Sequence, residues 1–385
     1  MPSLTDVARV AGVSLTTASM VLNKGKQHNR VSAACAARVQ DVAKKLGYVP
    51  NYHARSMKLG RAEVLAVAMD IGHETETSRP DLELSNPYFG FLLGGIEMRT
   101  RELGYLMTLV GPEAKSRAPD RAVLGVRQRR FDGLIVPGSL VRTDKTQFLD
   151  EPFDGPVVVI QPPQGTVHPI VDFNQKTGVE MAVRHLAGLG HRKLLYVGEI
   201  GLEDHSKVRQ RQFEETCLEL GVTSDAAAVH RVDLETVRRP DVQITQVSVE
   251  FGEILSRGGR EFTGVVCYND MTAIGVMEAL VKAGYHVPRD VSVIGFDDTA
   301  AMYAVPRLTT ISHQLSEMGK VATDLCMEMV ADPQMIRKLR GTRTTVQPRL
   351  VERASCAAPG GGVVGGVVGG VGLGVGIGVH TNGRH

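Results

Sequence analysis

Tryptophan is absent from this 385-residue chain, and cysteine is scarce: Cys35, Cys217, Cys267, Cys326 and Cys356 are odd in number and far apart. They form no CxxC or Cys/His metal spacing and no disulfide framework, so they read as buried thiols of a reducing compartment. The N-terminus lacks a basic start followed by an apolar run, which argues against export and makes the cytoplasm the expected location. No GxSxG, Walker loop or HExxH is present, so no enzyme, metal or cofactor is expected.

What is present is a length suited to two or three compact units, with a 43% hydrophobic share that can bury substantial cores. Charge is distributed unevenly. The whole chain carries only +2. Its first 61 residues, however, hold ten cations (Arg9, Lys24, Lys26, Arg30, Arg38, Lys44, Lys45, Arg55, Lys58, Arg61) against Asp6 and Asp41, a balance of +8. The remainder is −6. A basic head on a neutral-to-acidic body is the pattern of a nucleic-acid-binding protein; a solvated basic face is the plainer alternative.

The head reads as three short helices. Leu4, Val7, Ala8 and Ala11 recur at helical spacing behind Ser3 and stop at Gly12. A second helix follows Ser14 and a third follows Ser32, the latter ending at Gly47. The first two make a helix-turn-helix, whose second helix would enter the major groove by its N-terminal residues. Leu15, Thr16 and Met20 point outward there, with Ser14, Thr17 and Ser19 beside them. Apolar side chains can touch thymine methyls, and a threonine hydroxyl can bond either kind of base edge. Pro50 ends this unit, and residues 51–57 suffice for one or two further helical turns that need a partner to be stable.

From Val64 onward, apolar runs (64–69, 106–110, 133–136, 157–160, 193–197, 264–267, 291–295) alternate with helical stretches (90–103, 178–189, 209–220, 247–256, 271–283, 317–330). This predicts α/β architecture, with parallel sheets wrapped by helices and length enough for two of them. Gln161-Pro162-Pro163 is the expected first crossing between the two. A ligand would sit between the sheets, at the C-terminal ends of their strands. Asp297-Asp298 reads as a strand-end turn, because consecutive residues on a strand point to opposite faces. The tail from Gly360 to Val379 is Gly/Val low complexity. Its GxGxxG follows no strand, and its glycine content opposes a membrane helix, so neither a nucleotide loop nor an anchor is expected.

Thr5-Asp6-Val7-Ala8, Ala11-Gly12-Val13-Ser14, Thr17-Ala18-Ser19, Val21-Leu22-Asn23 and Leu46-Gly47-Tyr48-Val49-Pro50-Asn51 resemble, in order and nearly in spacing, the head of the LacI/GalR family of bacterial repressors. The likeness continues through Asn86-Pro87-Tyr88-Phe89, Leu189-Gly190-His191, Asn269-Asp270, residues 287–298 and Leu308-Thr309-Thr310-Ile311, and covers about 3–354. It implies a ligand-responsive regulator, a homodimer or tetramer reading a near-palindromic operator, with a body like the periplasmic sugar-binding proteins. The expected divisions are a head (1–49), a hinge helix and linker (50–61), a two-subdomain effector-binding and dimerisation unit (62–354) and the tail (355–385). Crossings are expected near 161–165, 290–296 and 315–325.

By the same resemblance, DNA contacts extend to Thr5, Asn23, Asn51, His53 and Ala54. Met57 stands where the family usually wedges a leucine into the minor groove. Between Asn23 and Val31 the loop is about three residues longer than usual, and its Lys26 and Arg30 suggest phosphate contacts. For the effector, of sugar or nucleobase class, the resemblance implies Arg209 and Asp270 facing one another across the cleft. Tyr88 and Phe89 would form an aromatic wall, and Gln161 and His313 would stand where some relatives carry aspartate and glutamine. A small-molecule binding module or sugar-modifying enzyme with the same body is the rival from another class.

Overall fold

The N-terminal unit is built from well-capped helices. Ser3 accepts from the backbone N–H of Asp6, and Asp6 reaches back to the N–H of Ser3, a capping box that starts α1 (Leu4–Ala11). Gly12 closes it with φ +63°, a left-handed conformation that costs glycine nothing. Ser14 accepts from the N–H of Thr17 at 3.0 Å and opens α2 (Leu15–Leu22). Ser32 caps α3 (Ala33–Leu46). Val7, Ala8, Ala11, Ala18, Val21, Ala36, Val39 and Ala43 meet in one small core. These features belong to a computed structural model, which describes residues 2–22, 31–51, 56–57, 59–70, 87–113, 116–138, 152–162, 166–199, 203–229, 240–258 and 261–360.

Two six-stranded sheets follow. The first is built from β1 (Val64–Ala68), β2 (Leu106–Val110), β3 (Gly133–Pro137), β4 (Val157–Ile160), β5 (Ile170–Phe173) and β11 (Arg343–Val346), in the order β11-β5-β4-β3-β1-β2. The second comprises β6 (Lys193–Glu199), β7 (Thr223–Val229), β8 (Gly264–Cys267), β9 (Ser292–Asp297), β10 (Thr309–Ser312) and β12 (Arg349–Val351), in the order β12-β10-β9-β8-β6-β7. Pairing is parallel throughout except between β10 and β12. β3, β4 and β8 are buried at every residue, as continuous apolar strands must be when helices cover both faces. The first sheet carries α4 (Pro87–Glu102), α5 (Ala118–Arg127) and α10 (Leu315–Ala331). The second carries α6 (Gln175–Gly188), α7 (Glu203–Leu220), α8 (Pro240–Arg257) and α9 (Asp270–Lys282).

The seven expected strands are all present, but two of the expected crossings lie elsewhere. Residues 161–165 lie between β4 and β5, neighbours in the first sheet, and 290–296 lead into β9 inside the second. The chain instead changes sheet after β5, between Phe173 and Gln175, and returns between β10 and α10, at His313-Gln314. It crosses a third time between β11 and β12. The short strands β5, β10, β11 and β12 decide this, and three or four residues of mixed polarity give too weak a periodicity to find. Only the crossing expected near 315–325 lies close to one observed.

Two further features fix the body. Gly95 of α4 and Gly319 of α10 let these helices meet at backbone distance: a Cβ on Gly319 would lie 2.6 Å from the carbonyl oxygen of Leu92. The C-terminal segment packs on the second subdomain beyond residue 354. Ser355 is buried, accepts from the N–H of Thr309 at 2.8 Å and donates to the carbonyl of Val293 at 2.6 Å. His191 bridges Thr263, Ser292 and the carbonyl of Ala357 at 2.8 to 2.9 Å. Residues 361–385 lie outside the described ones. Among the described residues no helix is long and apolar enough to cross a membrane.

Candidate effector cleft and nucleic-acid interface

Both sheets end their strands toward a group of polar and aromatic side chains. From the second sheet come Tyr268 after β8, Phe296 and Asp297 at the end of β9, and His313 after β10; α7 supplies Arg209 and α6 supplies Gln175. Phe173, the last residue of β5, joins them at the first crossing. Arg209 is only 4% exposed. Its Nε donates to Gln175 Oε1 at 3.1 Å, its Nη1 donates to the carbonyl of Tyr268, and its Nη2 stands 3.4 Å from His313 Nε2. The guanidinium lies 4.1 Å from the Phe296 ring centre and 4.6 Å from that of Tyr268, a cation held over two aromatic faces. The His313 imidazole stacks on Phe173 with ring centres 3.6 Å apart, and its Nε2 is 3.2 Å from Asp297 Oδ1.

The first sheet contributes a separate contact. Tyr88, in the first turn of α4, donates its hydroxyl to Gln161 Oε1 just beyond β4. Gln161 holds φ +47°, an uncommon conformation for a non-glycine residue, and is buried. Phe89 is also buried and belongs to the main core, so it packs the subdomain, while Tyr88 stays half-buried with its ring edge-on to Phe89. A cavity of about 310 Å³ opens beside Asp297; it is lined by Asp298, Ser312 and Arg349 from the second subdomain and by Phe91, Leu315 and Lys320 from the first.

The expectation for Asp270 does not survive this geometry. Asp270 is 0% exposed, and its Oδ2 accepts from the backbone N–H groups of Thr299, Ala300 and Ala301 at 2.7 to 3.2 Å. Its Oδ1 accepts from the Thr310 hydroxyl at 2.6 Å. The carboxylate is therefore spent on the turn after β9, and burial pushes its pKa up to about 6 against those hydrogen bonds. It does not face Arg209 across the cleft either, because α7 and α9 pack on the same sheet. Among the described residues, the acid that meets His313 is Asp297, expected from the sequence to be no more than a turn residue. Its backbone leaves the strand at φ +99°, so the extended alternation that separates consecutive side chains ends there. Its neighbour Asp298 turns instead to Arg353 at 2.6 Å.

In the head, Leu15 (51% exposed) and Thr16 stand free at the start of α2, and Thr5 and Ser14 are exposed nearby. Thr17, Ser19 and Met20 are half-buried, and the Thr17 hydroxyl is paired with that of Ser14 at 2.8 Å. Asn51 is exposed, and Met57 is 84% exposed on a helical turn. Asn23, Lys26, Arg30, His53 and Ala54 lie outside the described residues. A capped helix pair that keeps its apolar side inward and leaves the start of its second helix uncovered has the form of a major-groove reader.

Comparison with known proteins agrees. Residues 3–51 match the family described as bacterial regulatory proteins, lacI family, and residues 183–356 match the periplasmic binding protein-like domain. The chain belongs to the LacI family of bacterial regulators. It is 29% identical to the ribose operon repressor of Escherichia coli K12 over 92% of this chain and 100% of that one. It is 26% identical to the transcriptional regulator GalR of the same strain, over 93% and 97%. Among solved structures, a lac repressor dimer bound to operator and an anti-inducer aligns with a TM-score of 0.68 at 21% identity, covering 93% of this chain and 99% of that one. A LacI-family regulator of Enterococcus faecium with bound ribose aligns at 0.56 and 22%, covering 77% and 98%. This LacI-family chain is a ligand-responsive DNA-binding regulator of transcription.

Proposed function

We propose that this regulator is a cytoplasmic repressor that reads a near-palindromic operator as a homodimer and releases or tightens its hold when a small uncharged polyhydroxylated metabolite binds between the subdomains. The observation that carries the proposal is the bare N-terminal face of α2, with Leu15 and Thr16 uncovered on an otherwise closed three-helix core. Leu15, Thr16 and Met20 then read base edges; Ser14, Thr17, Ser19, Thr5, Asn23, Lys26 and Arg30 position the head on phosphates; Asn51, His53, Ala54 and Met57 serve the minor groove. The head would run to residue 51, the linker to 61 and the body to at least 360.

For the effector, Arg209, Asp297, His313, Gln161 and Tyr88 form the polar set. A sugar-like ligand suits it better than a nucleobase, because the aromatic faces are already taken: Phe173 by His313, and Phe296 and Tyr268 by Arg209. The ribose-related relatives support the same class. Selection from a randomised duplex pool, followed by fluorescence anisotropy with the selected site, tests the DNA reading. Wild type should enrich a two-fold symmetric sequence. The Leu15→Ala, Thr16→Ala double variant should keep salt-sensitive binding but lose about 1–3 kcal/mol of preference for that site over random duplex. Equal binding of wild type to every duplex would end the proposal.

A further inference from the structure

We infer that His313 makes the effector cleft discriminate ligands by charge in a pH-dependent way: with the imidazole neutral it takes uncharged sugars, and on protonation it gains affinity for sugar acids. This rests on the effector reading above and concerns the selectivity of that same site.

The starting point is a conflict at one atom. His313 Nε2 lies 3.2 Å from Asp297 Oδ1 and 3.4 Å from Arg209 Nη2. A ring nitrogen carries either a proton or a lone pair in its plane, so it can donate to the carboxylate or accept from the guanidinium, not both. An ionised Asp297 selects the donor, which leaves Nε2–H aimed at Asp297 and an Arg209 N–H aimed at no acceptor on the ring. Between these two groups the charges balance, one guanidinium against one carboxylate.

Protonating His313 alters that balance. Two cations then share one carboxylate in a site whose arginine and histidine are 4% and 2% exposed, and low exposure keeps water from screening the difference. Among the described residues, the charged side chains that contact the ring are Asp297, from the end of β9, and Arg209, from α7. Of the other charges around it, Asp298 is engaged with Arg353, Asp172 with Arg343, Glu317 with Lys320 and Asp270 with the turn after β9, while Arg349 lines the cavity beside Asp297. Phe173 and Phe296, packed on the two remaining sides, carry no charge. Among the side chains here, a histidine is the one whose charge a change of ordinary buffer can reach.

The test uses the full chain and matched probes whose own charge is fixed across the range: D-glucose with D-glucuronate and D-galactose with D-galacturonate, together with D-ribose. Isothermal titration at pH 8.0 and 5.5 should show the ratio of sugar-acid to sugar affinity rising about tenfold on acidification. In His313→Gln the ratio should stay flat, while operator binding shows that the variant folds. Asp270 titrates in the same window but is retained in that variant, so a ratio that still rises would assign the effect elsewhere and overturn the inference. If none of these probes binds while operator binding persists, the inference fails and the regulator reading stands; loss of both would sink both. Spectra of the wild type with 15N-labelled histidine supply a check that needs no variant and no ligand. They should show His313 protonated on Nε2 at pH 8.0 and titrating above pH 5, and a ring that keeps one state throughout would equally overturn it.

Discussion

Asp270 and Asp297 have the same side chain and opposite duties, and their surroundings make the difference measurable. Asp270 holds three backbone N–H groups and one hydroxyl in a fully buried place. Replacing it by alanine strands those donors, so Asp270→Ala should destabilise the body by roughly 3–5 kcal/mol in urea unfolding. Asp270→Asn keeps an acceptor for the three N–H groups and should fold. The sign of the pH effect follows from its raised pKa. Because burial lifts the folded-state value to about 6 from 3.8, its contribution is greatest below about pH 4 and is lost as pH rises through 6. Wild type should thus lose roughly 2–3 kcal/mol relative to Asp270→Asn between pH 4 and 7.5, read from urea midpoints. Asp297→Ala should change stability by less than about 1 kcal/mol yet abolish the effector-induced shift in operator affinity.

Among the elements, the α4–α10 pair is the one most sensitive to a single methyl group. α4 carries Tyr88 in its first turn, and α10 begins two residues after His313, so the two helices join the candidate site to the first subdomain. A Cβ on Gly95 would fall on the Ser316 backbone, and one on Gly319 would fall on Leu92 and Ile96. Gly319→Ala should cost about 1–3 kcal/mol through overpacking, whereas Gly94→Ala, with nothing within 4 Å, should be neutral or gain up to about 1 kcal/mol from helix propensity. Thermal midpoints of the two variants make the comparison. If both behave alike, backbone contact is not what limits this helix pair. The head offers a parallel: Ser3→Ala removes the hydroxyl half of the capping box, leaving Asp6 on the backbone N–H of residue 3, and should lower its stability by about 1 kcal/mol.

At the scale of the molecule, a homodimer needs an apolar surface that the monomer leaves bare. Met302, Tyr303 and Val305, 60 to 90% exposed, follow the Asp270-anchored turn, and Val281 of α9 is 61% exposed. Residues of this kind seldom stand together on a monomer's surface without a partner. Tyr303→Asp with Val305→Asp should shift sedimentation from dimer to monomer and weaken operator binding, because the two heads are then no longer linked. A variant that remains dimeric would place the interface elsewhere. Operator affinity should also fall steeply with salt, and if Lys24, Lys26 and Arg30 contact phosphates, removing each should reduce the slope by about one.

The head was legible in the sequence almost to the residue, because its signals are local: Ser3, Ser14 and Ser32 as caps, Gly12 and Gly47 as stops, and apolar positions at helical spacing between them. The long apolar strands of the body were legible for the same reason. Arg209 and His313 could be named from their place in the family pattern, but their meeting could not, since 104 positions separate them and only the packing of α7 against the second sheet brings them together. The crossings and the acid of the cleft were decided by tertiary structure alone. Sequence fixes which residues are acidic; whether a carboxylate holds a turn or meets a ligand depends on which donors the folded chain sets before it, and those of Asp270 come from residues 29 to 40 positions away.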